Sequence, residues 1–474
     1  MDQGKVKWMK WVFLLGGALL LLWNNTSCKK DTLLSNQALE FSVDTVLFDT
    51  VFTTVGSTTQ RFKIYNRSNR PVVITSIILE GGENSNFRFN LNGESGVFFE
   101  DVRIPGNDSL FAFVEVTLDP NDQTTPLIIE DDLLFLTNGV EQKVKFAAWG
   151  QDAYFYSNNF LPEGLLPNDK PHVIYGVAVV DSAQHVVIQA GTRFHLHNNS
   201  LLCIRKGRID MEGEIDNKIT FQGDRLEAFY DDVRGQYYGV YFEEALTSTM
   251  NHVEIKNATA GIHVFGNSPF NPANAYTLEI SNCEIYNNAS YGIFNYNGGK
   301  IKGENLLVHN NDLYAFFQLE GGTYSFKQCH FLGYGTDGNQ PAIAVRNYFT
   351  RNDGITYIGE IPEGDFFNSV LYGSALNHVA YDTITENGAV EINFQFVNNL
   401  IRQEDQIVHS AFQDNIWNQD PNFISISEQN FKYPLTSVLN GAGSPLDIHT
   451  TITDIRGISR NLTSPDIGAY EIQE

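Results

Sequence analysis

The side chains best equipped for chemistry in this 474-residue chain sit close together in sequence: Asp231, Asp232 and Arg234, with Glu243 and Glu244 a little further on. Two carboxylates flanking a glycosidic bond supply the acid and the base or nucleophile of a hydrolase. Acids that hold a cation against a uronate carboxylate, with an Arg or Lys to take the adjacent proton, supply a lyase instead. Both chemistries need their groups on neighbouring segments of one groove, whereas an Asp-Asp pair on an inserted loop is ordinarily solvated. Catalytic residues therefore stay unassigned, with Asp231, Asp232 and Arg234 as the candidates.

His195 and His197 stand two apart on a predicted strand, so they share one face while Leu196 points the other way. Two imidazoles begin a metal site, but no third ligand accompanies them, and polar residues are expected on the outward face of such a strand. Cys203, Cys283 and Cys329 show no C-x-x-C spacing, which argues against thiolate-held zinc, and Cys283 and Cys329 read as small buried core residues. The sequence implies no metal and no cofactor.

Lys5, Lys7 and Lys10 precede an apolar run over residues 11–23. That is shorter than the roughly 20 residues of a bilayer span and fits an export signal. The following Asn25-Thr26-Ser27-Cys28-Lys29-Lys30 resembles a bacterial lipoprotein signal of the looser kind seen in Bacteroidota, with Ser27 as the small residue and Asn25 in place of the usual Leu. The resemblance implies removal of residues 1–27, lipidation (palmitate) at Cys28, and anchoring in the outer membrane, at the cell surface or on the periplasmic side. Loss of Lys5, Lys7, Lys10 and Asp2 takes the formal charge from −25 to −27. So acidic a chain has nothing with which to neutralise phosphates, which excludes nucleic acid as a partner.

The elements that would position any site are marked by a repeat. Leu278, Ile301 and Tyr324 are 23 residues apart, as are Cys283, Leu306 and Cys329, and Ile285, Val308 and Phe331. Within each copy apolar and polar residues alternate, the period of a short strand with one buried face. Each copy reads as strand, turn, strand, with corners at Asn287-Asn288, Gly298-Gly299, Asn310-Asn311 and Gly321-Gly322. A unit this small buries its apolar face only by stacking on its neighbours, about 4.8 Å apart. Cys283 and Cys329, two copies apart, are then roughly 9–10 Å from each other, out of disulfide reach. The pattern resembles the right-handed parallel β-helix (pectin-lyase-like) family, and the hand is an implication of that resemblance. Residues 186–194 resemble the I-x-x-G-T-x-F opening of many β-helices, and residues 209–223 the coils that follow it. Insertions are expected at 224–236 and 266–275.

Between Phe41 and about Gln151, strand-like runs at 61–65, 72–75, 111–116 and 132–136 alternate with turn clusters, the pattern of a β-sandwich. The Asn66-Arg67-Ser68 turn and a closing strand over 144–150 resemble bacterial immunoglobulin-like domains, which serve as spacers and binding modules. Residues 155–170 read as a loop-like connection. At the C-terminus, Asp420-Pro421-Asn422-Phe423, Ser444-Pro445, residues 454–460 and Asp466-Ile467-Gly468-Ala469-Tyr470-Glu471 resemble the closing signatures of many secreted bacterial β-helix proteins. Such a tail is suited to cap the open end of the stack, with its charged residues in a structural ion-pair network. The expected architecture is all-β: signal peptide 1–27, tether 28–40, immunoglobulin-like β-sandwich 41–152, and right-handed parallel β-helix solenoid with C-terminal cap 153–474.

Relatives of this fold include polysaccharide lyases and glycosidases. The polygalacturonase series, an Asn-x-Asp, then a paired Asp with Gly-His-Gly, then Arg-x-Lys, does not occur here as a series. The function expected is a rigid, non-catalytic surface for a glycan or another envelope protein. The alternatives are a polysaccharide lyase or glycoside hydrolase, which needs clustered carboxylates with a base in one groove, and an accessory subunit of an outer-membrane complex, which needs a flat apolar or aromatic patch. Asn pairs at the corners are expected to form ladders that satisfy the backbone. Tyr237, Tyr238, Tyr291 and Tyr296 are candidate rings for stacking on sugars where core packing does not claim them.

Overall fold

The structure, a computed structural model, describes residues 34–52, 57, 59–117, 127–385, 388–445 and 452–473; Cys28 and the export signal lie outside them. The described chain divides into two compact units that meet in sequence at Gly150 and Gln151.

The first unit is a β-sandwich of two five-stranded sheets. One sheet runs, in spatial order, Glu40–Phe41, Gln60–Asn66, Asp108–Val116, Phe87–Leu91 and Glu94–Ser95. The other runs Thr45–Phe52, Val140–Gln151, Leu127–Thr137, Val72–Leu79 and Phe98–Ile104. Alternation buries Phe62 and Ile64 on one sheet, and Phe87 and Phe62 meet Phe146 of the other with ring centroids 5.5 and 6.4 Å apart. A register shift between Ile74 and Ser76 lets Val72, Ile74, Ile77 and Leu79 all point inward although their spacing breaks the period of two. Asn66 fixes the turn after its strand: its buried amide donates to the carbonyls of Arg70, Ile104 and Pro105 at 2.8, 3.1 and 2.9 Å, while its carbonyl accepts from the Ser68 N–H.

In the second unit the 23-residue spacing is the strand register. Leu278 pairs in parallel with Ile301 and Ile301 with Tyr324, while Ile285 pairs with Val308 and Val308 with Phe331. Each coil carries three strands where the sequence suggested two, as in Leu278–Ser281, Glu284–Tyr286 and Tyr291–Tyr296. The additional bend is a single left-handed residue, Asn282 at φ 53°, repeated one coil on at Asn305 and again at Gln328. It shifts the inward residues by one step without a Gly or Pro to mark it, so the first two strands read as one. Asn tolerates this backbone region better than other residues with a Cβ, which is why Asn recurs at the corners. We call the three rows of strands the first, second and third faces in the order the chain visits them. The first is a ten-stranded sheet, and the second and third are joined in one 18-stranded sheet.

The stretch expected as a loop-like connection is already a coil. Tyr154–Phe160 pairs in parallel with His172–Val180, and Gly164–Leu165 with His185–Gln189, so residues 155–170 belong to the first coil. The polar Ser157-Asn158-Asn159, with Asn158 left-handed at a register shift, conceals that strand in the sequence. Cys283 and Cys329 are free thiols with fully buried side chains, stacked among the core aliphatics and rings such as Phe194 and Phe221, whose centroids lie 4.5 Å apart.

The C-terminal tail covers a flank of the stack, which corrects the expectation of a cap on its open end. From Leu307 onward the outward residues of the second face turn apolar (Leu307, Leu332, Val370, Leu400), and Phe431, Tyr433, Leu439, Ile467 and Tyr470 of the tail bury them. The Ala469 N–H donates to His330 Nδ1 at 2.8 Å, and buried Arg460 donates to Asn305 at 2.8 Å. The tail carboxylates close their own loops: Asp454 accepts from the N–H groups of Arg456 and Ile458, and Asp466 from those of Gly441 and Ile472.

Candidate functional site

The first insertion, residues 224–236, leaves the stack at the corner between the second and third faces and is tied down there. Asn287 donates to Asn257 Oδ1 at 2.6 Å and to the carbonyl of Asp232 at 2.9 Å, while Asn257 donates to the carbonyl of Asp231 at 2.8 Å. Arg234 bonds to Asn287 Oδ1 at 2.7 Å and also meets Asp312 and Thr336. Asp231 and Asp232 thus lend backbone carbonyls to an asparagine ladder, and Arg234 is spent on a clamp across coils. Glu243 and Glu244 lie at the opposite end of the strand Gly239–Glu243, the first within 4.0 Å of Cys203 Sγ and the second paired with Lys206 at 3.1 Å. The five candidates are not brought into one groove.

A different set is. Val253-Glu254-Ile255-Lys256-Asn257 and Cys283-Glu284-Ile285-Tyr286-Asn287 are the same five-residue pattern on adjacent coils, and Glu254 stands in register with Glu284 on the second face. Lys218 bridges them, its ammonium 3.4 Å from Glu254 and 3.1 Å from Glu284. The Tyr286 hydroxyl donates to Glu254 at 3.0 Å, and His309 lies 3.4 Å from Glu284 with its ring stacked on Tyr286. Burial pushes the Glu284 carboxyl up, but the His309 imidazole and the Lys218 ammonium outweigh it and hold the group at about 2. Burial likewise pulls the Lys218 ammonium down, and the charges of Glu284 and Glu254 raise it above its ordinary value. Two carboxylates on neighbouring coils have the placement a hydrolase needs, and a Glu284 held ionised suits the nucleophile or base of such a pair rather than its acid. The repeated x-Glu-Ile-x-Asn pattern was the available sequence signal.

The two histidines diverge. His195 stands on the outer side of its strand, between the core residues Phe194 and Leu196, but is buried there rather than solvated, 3.3 Å from the Gly223 carbonyl, and burial lowers its pKa to about 4. His197 lies 2.8 Å from Asp224 and stacks on Tyr175. Among the described residues no group of three or more His, Cys, Asp or Glu is arranged to hold a metal ion.

Of the four tyrosines singled out for stacking, Tyr237 is a core residue whose hydroxyl donates to the carbonyls of Phe221 and Lys256. Tyr238 is half-buried and bonds to His263 Nδ1 at 2.6 Å. Tyr291 and Tyr296 lie on the outer surface of the third face, within a terrace of rings that are half-buried except for the buried His263. Tyr241, His263, Phe294 and Phe317 form one column through the strand register, Phe265 and Tyr296 a second, and Tyr291 and Tyr314 a third. Successive rings of the first column are 4.6, 4.6 and 5.4 Å apart. The planes of Tyr296 and Phe317 lie within 10° and 9° of that of Phe294. The insertions 224–236 and 334–341 leave the stack at one edge of this terrace, and 266–276 and the hairpin of Tyr348–Thr350 with Thr356–Ile358 at the other.

A family model described as the right handed beta helix region matches residues 172–331, the coils that carry both the carboxylate pair and the aromatic terrace, and it gives the solenoid its hand. No curated protein matches the chain. Among solved structures, a family 123 glycoside hydrolase from Clostridium perfringens, described for glycolipid glycan hydrolysis, is similar at 10% identity and a TM-score of 0.17. That likeness covers 24% of this chain and 26% of the other, about a quarter of its length, and carries no argument.

Proposed function

We propose that this right-handed β-helix is an exported lipoprotein, anchored in the outer membrane through Cys28, that binds a glycan or another envelope protein and does not cleave it. The observation that supports this reading most is the third face, where half-buried aromatic side chains line up across successive coils with no tail laid over them among the described residues, in contrast to the sealed second face beyond Leu307. The register of Glu254 with Glu284 favours a glycoside hydrolase as the second reading, and the Lys218 bridge that occupies both carboxylates weighs against it. The test is to purify the native, detergent-solubilised protein, identify co-purifying proteins by mass spectrometry, and score a polysaccharide panel for binding and for cleavage. Binding without cleavage supports the proposal. Cleavage that disappears in Glu284→Gln would falsify it, and a stoichiometric outer-membrane protein assigns the chain to a complex. Incorporation of labelled palmitate, lost in Cys28→Ala, tests the anchor.

A further inference from the structure

We propose that the aromatic terrace of the third face binds an uncharged glycan chain laid along the solenoid axis, its successive sugars over successive coils. This deepens the binding reading above and rests on it. From Tyr241 to Phe317 the first column climbs three coil steps, about 14 Å at the spacing of neighbouring strands. Each step offers a ring at nearly the same lateral position, so the surface repeats at an interval close to the length of one pyranose unit. Sugars are amphipathic, with apolar C–H faces and hydroxyl edges, and this surface matches both: Phe294 and Phe317 supply carbon, and Tyr291, Tyr296 and Tyr314 place phenol hydroxyls among the rings.

The absence of charge in the ligand follows from the edges. Arg234 is bound to Asp312, Arg346 lies 2.9 Å from Asp382, and Arg351 lies 2.9 Å from Glu320 while its guanidinium stacks 3.8 Å from the Tyr357 ring. A uronate or sulfated chain would have to break one of these pairs to find a cation, and would meet the acidic field of a chain with formal charge −25. A neutral chain meets neither cost. Arg351 and Glu320 also hold the base of the hairpin beside Tyr296, giving the terrace one fixed wall.

The experiment titrates the full-length, detergent-solubilised protein with cellohexaose, xylohexaose and mannohexaose as neutral probes and with hexagalacturonate as the charged one. Phe317→Ala and Tyr296→Ala are measured alongside, with thermal melts to confirm folding. The expected result is salt-insensitive binding of at least one neutral probe, weakened about tenfold in each variant. On the wild-type protein, independent of any variant, that probe should slow amide exchange in the strands Tyr291–Tyr296 and Tyr314–Leu319. Tighter binding of hexagalacturonate, unchanged affinity in both variants, or protection confined to other strands overturns the inference and leaves the binding reading standing. If no hexasaccharide binds while a protein partner co-purifies, the inference again fails alone; cleavage of a probe removes both.

Discussion

Asn287 shows how much one side chain carries in this fold. It sits at φ 57°, a region its own short amide eases, and that amide joins Asn257 to the first insertion through the Asp232 carbonyl. Asn287→Ala should destabilise the solenoid by about 1–3 kcal/mol, because buried Asn257 and the Asp232 carbonyl lose their bonds, and should expose residues 224–236 to protease before the rest of the chain; urea titration and limited proteolysis check both. The buried imidazoles set the response to acid. Burial lowers His195, His263 and His378 to about 4 and His330 to about 3, so they stay neutral in the folded chain while the unfolded chain takes up protons below about 6.5. Stability is then full above pH 6.5 and falls progressively toward pH 4. His330→Asn, whose side-chain oxygen stands where Nδ1 accepts the Ala469 bond, should show a smaller loss of urea midpoint between pH 7 and 4.5 than the parent protein. At this scale the corner asparagines were legible, since Asn-Asn pairs repeat at one interval. Glu254 and Glu284 were not, because the insertion at 266–275 stretches their separation to 30 residues and takes them out of the 23-residue pattern.

Among elements, the repeat was legible and the number of strands in it was not, since the kink at Asn282 is a one-residue event in an otherwise continuous alternation. The register makes a sharp prediction. Deletion of residues 277–299, one whole repeat, brings Ile301 to the place of Leu278 and should leave a cooperative, β-rich fold. Deletion of one residue fewer should unfold the neighbouring coils, because every inward side chain downstream turns outward. Circular dichroism and a thermal melt distinguish the two. The first insertion was recognised as a polar interruption, yet the carboxylates it seemed to offer are displaced by its own backbone carbonyls, a role that composition does not reveal. Arg234→Ala should loosen that segment without lowering the melt of the coils, an effect visible as faster amide exchange confined to 224–236.

For the whole molecule, the closing signatures near the C-terminus identified a tail but not the surface it occupies, because the apolar stripe of Leu307, Leu332, Val370 and Leu400 is assembled from four coils and appears in no single stretch of sequence. A chain ended after Trp417 should bind a hydrophobic dye and associate in solution, since that stripe would face water. The same arrangement has a consequence in time. Neighbouring coils pair across separations that run from 16 residues, as between Phe396 and Phe412, to 40, as between Tyr324 and Gly364, so they are able to zip up one after another as the chain emerges, whereas the bonds that seat the tail on His330 and Asn305 reach back 139 and 155 residues. The flank stays bare until the tail itself has been made. The tail thereby acts as a seal: a chain that has made the stripe but stops short of the tail displays it to proteases and chaperones.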